Sequence, residues 1–470
     1  MLRKEIQYVI IIAAVAVSAT AFGLNQQQIA ATAIFSSLIT GTLLFWRFRL
    51  AFAFVGLGAL LGTGLLDVET LIEFAGLDII LFLIGMMTVI GYLEERRFFE
   101  KLVDRIIGVV GDDPKKLVLV LMLMSAFFAA LVDEVTSILF MTATVLHLTS
   151  KRGVNPVPFV MMIIFATNIG SSATVVGNPV GVLIALRGGL SFQDFLRWAT
   201  PISIVSLLVT IPLSFIYYSK DIRILGERIK EGTNATTAVI AADDHPEEQT
   251  PNNQSMRTSW LLFIGTIVSL VLHTQVEQLL HLHKNSMLIG TAIIAAGIAL
   301  FLERNRAREL IERRVDWWTL SFFLILFASV ATLSFTGVTR VLSQTLFTVS
   351  GGNETFAFLL LTIIAGGLSA LLDNVLAVAT LLPVVQDFGT LGINNFPLYW
   401  GLLFGGTLFG NLTMIGSTAN IVAIGMLERR KVGHITLMQW IKPGAIISLS
   451  TLTLAIILVF LQIPFMPSRN

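Results

Sequence analysis

Long apolar stretches without charged residues dominate the pattern of this chain. A helix needs about 20 predominantly apolar residues to cross the hydrocarbon core of a bilayer. Stretches that we interpret as single crossing helices lie at residues 6–22, 29–46, 50–66, 79–93, 198–218, 258–274, 285–302, 317–339 and 443–466. The pattern therefore predicts an all-α polytopic membrane protein.

Four other apolar regions are too long for one straight helix. They lie at residues 117–149, 156–186, 355–386 and 396–426. A helix that exceeds the bilayer thickness by this much has to be tilted, broken or folded back. The charges that flank each region decide between these possibilities, because Lys and Arg are enriched in cytoplasmic loops.

The flanking charges predict two re-entrant hairpins that enter from opposite faces. Lys115 and Lys116 precede the first region and Lys151 and Arg152 follow it, so both of its ends suit the cytoplasm. The region at 355–386 is flanked by acidic residues, without Lys or Arg nearby, so both of its ends suit the outside. With about eleven crossing helices and these hairpins, the amino terminus is cytoplasmic, the carboxyl terminus is external, and about 26 of the 31 Lys and Arg lie inside.

Short segments of the first half recur in the second half at an offset of about 239 residues. The pairs are Leu71-Ile72-Glu73 with Leu310-Ile311-Glu312, Leu131 to Val135 with Leu371 to Val375, and Ala173 to Asn178 with Leu412 to Ser417. Because each half holds five crossing helices, an odd number, the second half is predicted to be inverted. We divide the chain into an amino-terminal helix at 1–26, a first repeat at 27–219 with its hairpin at 115–150, a cytoplasmic linker at 220–257, and a second repeat at 258–470 with its hairpin at 354–388.

The first helix has two interpretations. A basic start, an apolar stretch and the small residues Ser18 to Ala21 are also typical of a cleaved signal peptide. We expect the helix to be retained, because the rest of the chain is also predicted to lie in the membrane.

Composition excludes several classes of function. Hydrophobic residues make up 55% of the 470 residues, charged residues 13%, and the mean hydropathy is +0.83. A net charge of +1 gives no argument for nucleic acid as a partner, and without cysteine there is no disulfide, thiolate metal site or thiol nucleophile. No phosphate-binding loop, metalloprotease helix or nucleophile elbow occurs, so we expect no enzyme, cofactor or metal site.

Acidic residues stand at the middle of both predicted hairpins. Asp133 and Glu134 interrupt one apolar region, and Asp373 with Asn374 holds the equivalent place in the other. Ionisable groups inside a membrane are costly and usually functional. We predict that Asp133, Glu134 and Asp373 bind a coupling proton or cation; the alternative is that they only cap half-helices or form salt bridges.

Glycine, proline and small polar residues concentrate in two segments, 168–179 and 410–420. Such residues unwind helices and provide ligands at membrane depth, although close packing of small residues between helices is an alternative. The predicted substrate-binding residues are Asn168, Thr174, Asn178, Asn374, Asn411, Thr413, Ser417 and Asn420. The predicted hinge residues of the unwound helices are Gly170, Gly177, Pro179, Gly410 and Gly416.

These motifs resemble the ion transporter superfamily, in particular its arsenite permease (ArsB) and P protein branch, often described by a citrate transporter-like domain. The matching segments are Leu131 to Ser137, Asn168 to Pro179, Leu372 to Val375 and Ile415 to Val422. The resemblance covers essentially the whole chain. It implies eleven helices, two opposed hairpins, a homodimer and an elevator-like movement of the hairpin domain.

Two departures from the family pattern bear on the transported species. The first tip is Asp133-Glu134 where the family often has Asp-Asn, which favours a proton or sodium site. The segment Gly177 to Gly181 differs from the family's Gly-Asp-Pro-Pro-Asn. The leading hypothesis is a proton- or cation-coupled permease of the cell membrane that exports arsenite, antimonite or another small inorganic ion. The alternatives are a sodium/proton antiporter of the NhaD type, a carboxylate permease, and a channel or non-transporting scaffold.

Overall fold

The computed structural model describes residues 2–111, 113–231 and 253–468, and within these ranges the chain is helical, without a strand. The helices of the first half are α1 (Leu2–Ala21), α2 (Gln26–Leu44), α3 (Arg49–Gly62), α4 (Val68–Phe74), α5 (Leu77–Glu95), α6 (Phe98–Val110), α7 (Pro114–Leu131), α8 (Glu134–Arg152), α9 (Val157–Ser171), α10 (Pro179–Gly188), α11 (Phe192–Asp194), α12 (Thr200–Tyr217) and α13 (Ser219–Lys230). A π-helical turn, Phe195–Ala199, joins α11 to α12.

The second half continues the same architecture. Its helices are α14 (Asn253–Leu280), α15 (Ser286–Glu303), α16 (Ala307–Arg314), α17 (Trp317–Phe335), α18 (Val338–Val349), α19 (Glu354–Leu371), α20 (Asn374–Thr390), α21 (Phe396–Leu408), α22 (Thr418–Arg429) and α23 (Leu437–Gln462). Short 3-10 turns lie at Trp46–Phe48, Val175–Gly177, Arg304–Arg306, Phe409–Leu412 and Ile463–Phe465. Of the predicted linker at 220–257, residues 232–252 lie outside the described residues.

Ten helical segments among the described residues are long and apolar enough to cross a membrane, and two of these are the hairpin arms α7 and α19. The predicted all-α polytopic class is therefore confirmed. The stretch predicted at 50–66 is shorter than expected, because α3 has 14 residues. At about 1.5 Å per residue it covers only about 21 Å of a hydrocarbon core that is about 30 Å thick.

Helices in the two halves follow the same order at a nearly constant spacing. Helices α5 and α17 begin at Leu77 and Trp317, and α8 and α20 begin at Glu134 and Asn374, in both cases 240 residues apart. The correspondence extends from α4 and α16 to α10 and α22. The inverted orientation of the second half stays a prediction.

Each predicted hairpin is a pair of packed helices with a tip of two residues. Helix α7 packs against α8, and α19 packs against α20. Val132 and Asp133 form the first tip, and Leu372 and Asp373 form the second. In both hairpins the aspartate is the N-cap of the returning helix and accepts hydrogen bonds from its first backbone N–H groups.

Both regions predicted to contain a broken helix are interrupted at their glycine-rich segments. Between α9 and α10 the chain leaves the helix after Ser171 and passes through the turn at Val175–Gly177. Between α21 and α22 it passes through the turn at Phe409–Leu412. Pro179 is the first residue of α10, where its missing N–H has no helical partner to lose.

Gly170 marks the closest approach between the first hairpin and its broken helix. A Cβ atom at this position would lie 2.1 Å from the carbonyl oxygen of Ala126 on α7, a backbone atom that cannot turn aside. Helices α7 and α9 pack tightly against each other. Gly170, which was predicted to be a hinge residue, is thus required mainly because the backbones of α7 and α9 pack closely here.

Replacing Gly170 by Ala is expected to destabilise the folded protein by about 3 kcal/mol or more, because overpacking a rigid contact forces the backbone to shift. The yield of monodisperse protein in detergent and the midpoint of thermal unfolding measure this effect. Gly297→Ala on α15 is the matched control, since nothing lies within 4 Å of a Cβ added there. Equal unfolding midpoints for the two variants would refute the close-packing role of Gly170.

Candidate functional site

The two hairpin tips, far apart in sequence, meet in the interior of the protein. Glu134, Asp373 and Asn374 are each at most 3% exposed. The Nδ2 atom of Asn374 donates a hydrogen bond to Oε1 of Glu134 at 3.2 Å. Equivalent positions of the two halves are therefore in direct contact.

Glu134 is surrounded by neutral donors. Its Oε2 atom accepts a hydrogen bond from Ser171 Oγ at 3.1 Å, and Ser171 Oγ accepts one from Asn178 Nδ2 at 2.9 Å. Among the described residues, no basic nitrogen lies within 4 Å of the Glu134 carboxylate. A buried carboxylate without a cationic partner is costly. A proton or a bound cation is the partner that would lower this cost.

Asp373 is held by its own hairpin and by the second broken helix. Its carboxylate accepts a hydrogen bond from the backbone N–H of Val375 at 3.2 Å and one from Thr418 Oγ1 at 2.7 Å. Thr418 is the first residue of α22. The second tip is therefore tied to the start of that half-helix.

Asp133 has a more local environment than the other two acids. It is half-buried, and its carboxylate accepts hydrogen bonds from the backbone N–H groups of Val135 at 2.7 Å and Thr136 at 3.4 Å. These are the contacts of an N-cap. Its predicted role in binding the coupling ion is untested and remains a prediction.

A second cluster joins the broken helices of the two halves through asparagine side chains. Asn168 Nδ2 donates to Oδ1 of Asn411 at 2.7 Å and to Oδ1 of Asn420 at 2.8 Å. Asn168 Oδ1 accepts a hydrogen bond from Ser417 Oγ at 3.0 Å. All four side chains are buried. Four of the predicted substrate-binding residues are thus brought together by direct contacts.

Asn411 leaves one donor free in this cluster. Its Nδ2 atom is buried and has no hydrogen-bond partner among the described residues. The backbone carbonyl of the same residue accepts a hydrogen bond from Trp440 Nε1 at 3.0 Å, which fixes the unwound segment. A buried N–H group without an acceptor is unfavourable, so an oxygen atom of a bound solute would be stabilised here.

Threonine side chains repeat one contact in both halves. Thr174 Oγ1 donates to the carbonyl oxygen of Ala130, and Thr413 Oγ1 donates to that of Ala370 at 2.6 Å. Each bond joins a broken helix to the end of the first arm of the neighbouring hairpin. Both hydroxyl protons are already engaged, and the predicted substrate contact of these threonines remains a prediction.

Four helix N-termini also point to this region of the protein. Helices α8, α10, α20 and α22 begin at residues Glu134, Pro179, Asn374 and Thr418, all beside the clusters described above. Asn178 caps α10 by accepting from Gly181 N at 2.7 Å, and Ser417 caps α22. Helix N-termini favour negative charge. The arrangement can therefore hold an anionic or oxygen-rich solute beside its carboxylates.

Close backbone approach explains three more of the predicted hinge glycines. A Cβ at Gly177 would lie 2.2 Å from the carbonyl oxygen of Ser171. Gly410 and Gly416 face each other, and a Cβ on either one would lie 2.6 Å from the carbonyl oxygen of the other. These glycines let the unwound segments fold tightly onto themselves.

Two residues of the site were absent from the predicted set. Ser171 contacts Glu134, and Thr418 contacts Asp373. Both lie inside the polar segments singled out by their composition. Nothing in the sequence distinguishes Ser171 from the neighbouring Ser172, because only the fold shows which side chain faces a carboxylate.

Comparison with protein families and curated proteins gives consistent results. A family model described as Citrate transporter (CitMHS) matches residues 40–351 and 330–468. An uncharacterized transporter of Mycobacterium tuberculosis is 30% identical over 394 residues, covering 82% of this chain and 86% of that protein. The human P protein is 24% identical over 435 residues, covering 79% of this chain and 52% of the P protein.

Among solved structures, the chain is similar to the YdaH transporter of Alcanivorax borkumensis, whose topology is described as unusual. The TM-score is 0.58 and the sequence identity is 16%, with 85% of this chain and 87% of the other covered. At this identity the similarity shows a shared fold.

Proposed function

The chain belongs to the citrate transporter family of membrane transporters, and we propose that it is a secondary active carrier driven by a proton or a cation. The observation that carries this proposal is Glu134, a buried carboxylate whose side-chain partners, among the residues that the structure describes, are the neutral groups of Asn374 and Ser171. A proton or cation bound there would neutralise it. Asp373, and with it Asp133, would add to the same coupling site.

We propose that the transported species is a small inorganic ion or small anion, with arsenite or antimonite as the leading case. The amides of Asn168, Asn411 and Asn420 supply donors and acceptors, and the helix N-termini favour oxygen-rich solutes. At neutral pH the arsenite ion is protonated to arsenous acid, a small uncharged molecule with three hydroxyl groups. Its hydroxyl groups suit a cluster of amides and hydroxyls that lacks a basic side chain among its described contacts.

Two other substrates have a specific observation in their favour. Carboxylates are favoured by the description of the matching family. Sodium/proton exchange is favoured by two buried acids, Glu134 and Asp373, on opposed hairpin tips. In that case the cation at the carboxylates is itself the cargo.

The proposal places the carrier in the cell's inner membrane, with a cytoplasmic amino terminus and an external carboxyl terminus. Charge distribution along the chain supports this orientation. We further propose a homodimer in which the hairpins and broken helices move as a unit. The hydrogen bonds from Thr174 to Ala130 and from Thr413 to Ala370 support such a unit.

Uptake into proteoliposomes tests the proposal and separates the candidates. Purified protein is reconstituted, a proton or sodium gradient is imposed at two pH values, and arsenite, antimonite, sodium, lithium, succinate and citrate are each assayed. We expect one class of solute to accumulate against its own concentration gradient. This accumulation should be lost when the proton or sodium gradient is dissipated. Movement of every solute only down its gradient would support a channel and refute the carrier.

A further inference from the structure

An ion pair joins two helices that belong to different parts of the proposed carrier. Arg187 lies in the last turn of α10, the second half of a broken helix, and Asp78 lies in the first turn of α5. Arg187 Nη2 is 3.2 Å from Asp78 Oδ1, and both side chains are about one third exposed. In the proposed function α10 moves with the hairpins, whereas α5 belongs to the stationary part. The ion pair therefore crosses the boundary between the two parts.

Two further contacts hold the same end of α10. Asn285 is buried in the loop between α14 and α15, and its Nδ2 atom donates to the carbonyl oxygen of Ala185 at 3.4 Å. Gln386 on α20 donates from Nε2 to the carbonyl oxygen of Arg187 at 3.1 Å. The contact of Asn285 also crosses the boundary, because its loop belongs to neither a hairpin nor a broken helix. The contact of Gln386 lies within the proposed moving part.

Packing between the two parts differs between the two ends of the molecule. Helix α5 packs against α10, and α17 packs against α20. Among the described residues, the equivalent pairs, α17 with α22 and α5 with α8, pack less extensively. By the predicted topology, the first two contacts lie on the external side, and the equivalent pairs would meet on the cytoplasmic side. The two parts are therefore in closer contact on the side predicted to be external.

The attraction in this ion pair depends on Asp78. Gly76 is the N-cap of α5, and a Cβ added there would lie 3.5 Å from Arg187 Nη2, so the guanidinium lies beside the start of this helix. A helix N-terminus disfavours a nearby cation, and the carboxylate of Asp78 makes the contact attractive. Water and salt weaken an ion pair that is one third exposed. A contact of this strength can break and form again during transport.

We propose that Asp78 and Arg187 form a latch, which closes the carrier on its external side and opens when the hairpins and broken helices move. This inference rests on the proposed function, in which those elements move as a unit. The latch stabilises the closed arrangement weakly. It therefore controls how often the carrier opens to the outside, and it does not select the solute.

The distance between two spin labels tests the latch without a transport assay. The chain has no cysteine, so Glu73→Cys on α4 and Thr390→Cys on α20, both at exposed positions, label one stationary and one moving position of the full-length protein. The fraction of protein at a second label distance measures opening. Asp78→Asn should raise the ratio of open to closed protein about two- to fivefold, because an exposed ion pair is lost.

Asp78→Arg places two like charges against each other and should raise the same ratio at least about tenfold. Glu309→Gln is the matched control, because it breaks an exposed ion pair with Arg313 inside one helix, α16. Its label distances should equal those of the wild type. Label distances that are the same in Asp78→Arg and in Glu309→Gln overturn the proposal. If the protein moves no solute but shows the expected change, the proposed function is refuted and the latch is supported.

Cross-linking tests whether the latch must open for transport. Asp78→Cys/Arg187→Cys joins the two parts, and Arg187→Cys/Gln386→Cys, the matched control, joins two positions within the moving part. Both pairs are treated in proteoliposomes with a short bifunctional thiol reagent, and uptake of each of the six candidate solutes is measured before and after. Uptake of the transported solute should fall at least about tenfold in the first variant and less than about twofold in the control. An equal loss of uptake in the two variants contradicts the latch.

Discussion

Replacing Glu134 by Gln is expected to abolish ion-coupled transport while leaving the protein folded. Glutamine has the same shape, and the hydroxyl of Ser171, now a donor to Oε2, can rotate to accept from the new amide. The negative charge is lost, and with it the attraction for a proton or cation. Removing one partner of a buried charge interaction costs several kcal/mol, so coupled transport should fall at least about 100-fold.

Initial rates of gradient-driven uptake into proteoliposomes measure this loss, and the midpoint of thermal unfolding confirms that the variant is folded. Glu69→Gln is the matched control, because Glu69 is exposed in the first turn of α4, which belongs to neither hairpin. Glu69→Gln should transport at the wild-type rate. Wild-type coupling in Glu134→Gln would remove Glu134 from the coupling site and with it the main support for the proposed function.

Replacing Asp373 by Ala is also expected to reduce coupled transport at least about 100-fold, because a second buried charge of the coupling site is lost. The hydroxyl of Thr418 loses its acceptor, whereas the backbone N–H of Val375 loses one acceptor and keeps Asn374 Oδ1 at 2.9 Å. Loss of the N-cap alone should cost about 1 kcal/mol of stability. Transport rates and unfolding midpoints, measured as for Glu134, separate the two effects.

Asp113→Ala provides the control for the lost cap. Asp113 is the exposed N-cap of α7 and accepts hydrogen bonds from the backbone N–H groups of Lys115 and Lys116. This variant should lose similar stability and keep its transport. Asp373→Asn retains a good N-cap without the charge, and it should be as inactive as Asp373→Ala. An active Asp373→Asn variant would show that Asp373 only caps α20.

Much of the fold could be predicted from the sequence because a helix that crosses a bilayer needs a long apolar stretch, and such stretches are visible in the sequence. Apolar length located the crossing helices, and the flanking charges located the hairpins that the structure builds from α7 with α8 and from α19 with α20. The shortness of α3 could not be read in the same way. Its apolar stretch continues past Gly62, but the helix ends just before Gly64, whose positive φ of 69° is typical of a helix terminus, and apolar length alone does not show this end.

The candidate site was only partly predictable. Composition identified Glu134, Asp373 and the asparagines, because polar residues inside apolar regions are conspicuous. Their pairing across the halves, such as Asn374 with Glu134 and Asn168 with Asn420, depends on how the broken helices pack.

The hydrogen bond between Asn374 and Glu134 bears on how the two halves of the chain evolved. If the two halves descend from one duplicated segment, the first product of that duplication carried the same residue at both positions. Two glutamates would have repelled each other in the interior, and two asparagines would have offered no charge to bind an ion. Divergence to one acid and one amide gives a contact that is stable and still negatively charged. Selection on this pair of residues would then have made the two halves of the chain different, so that neither half could take the place of the other.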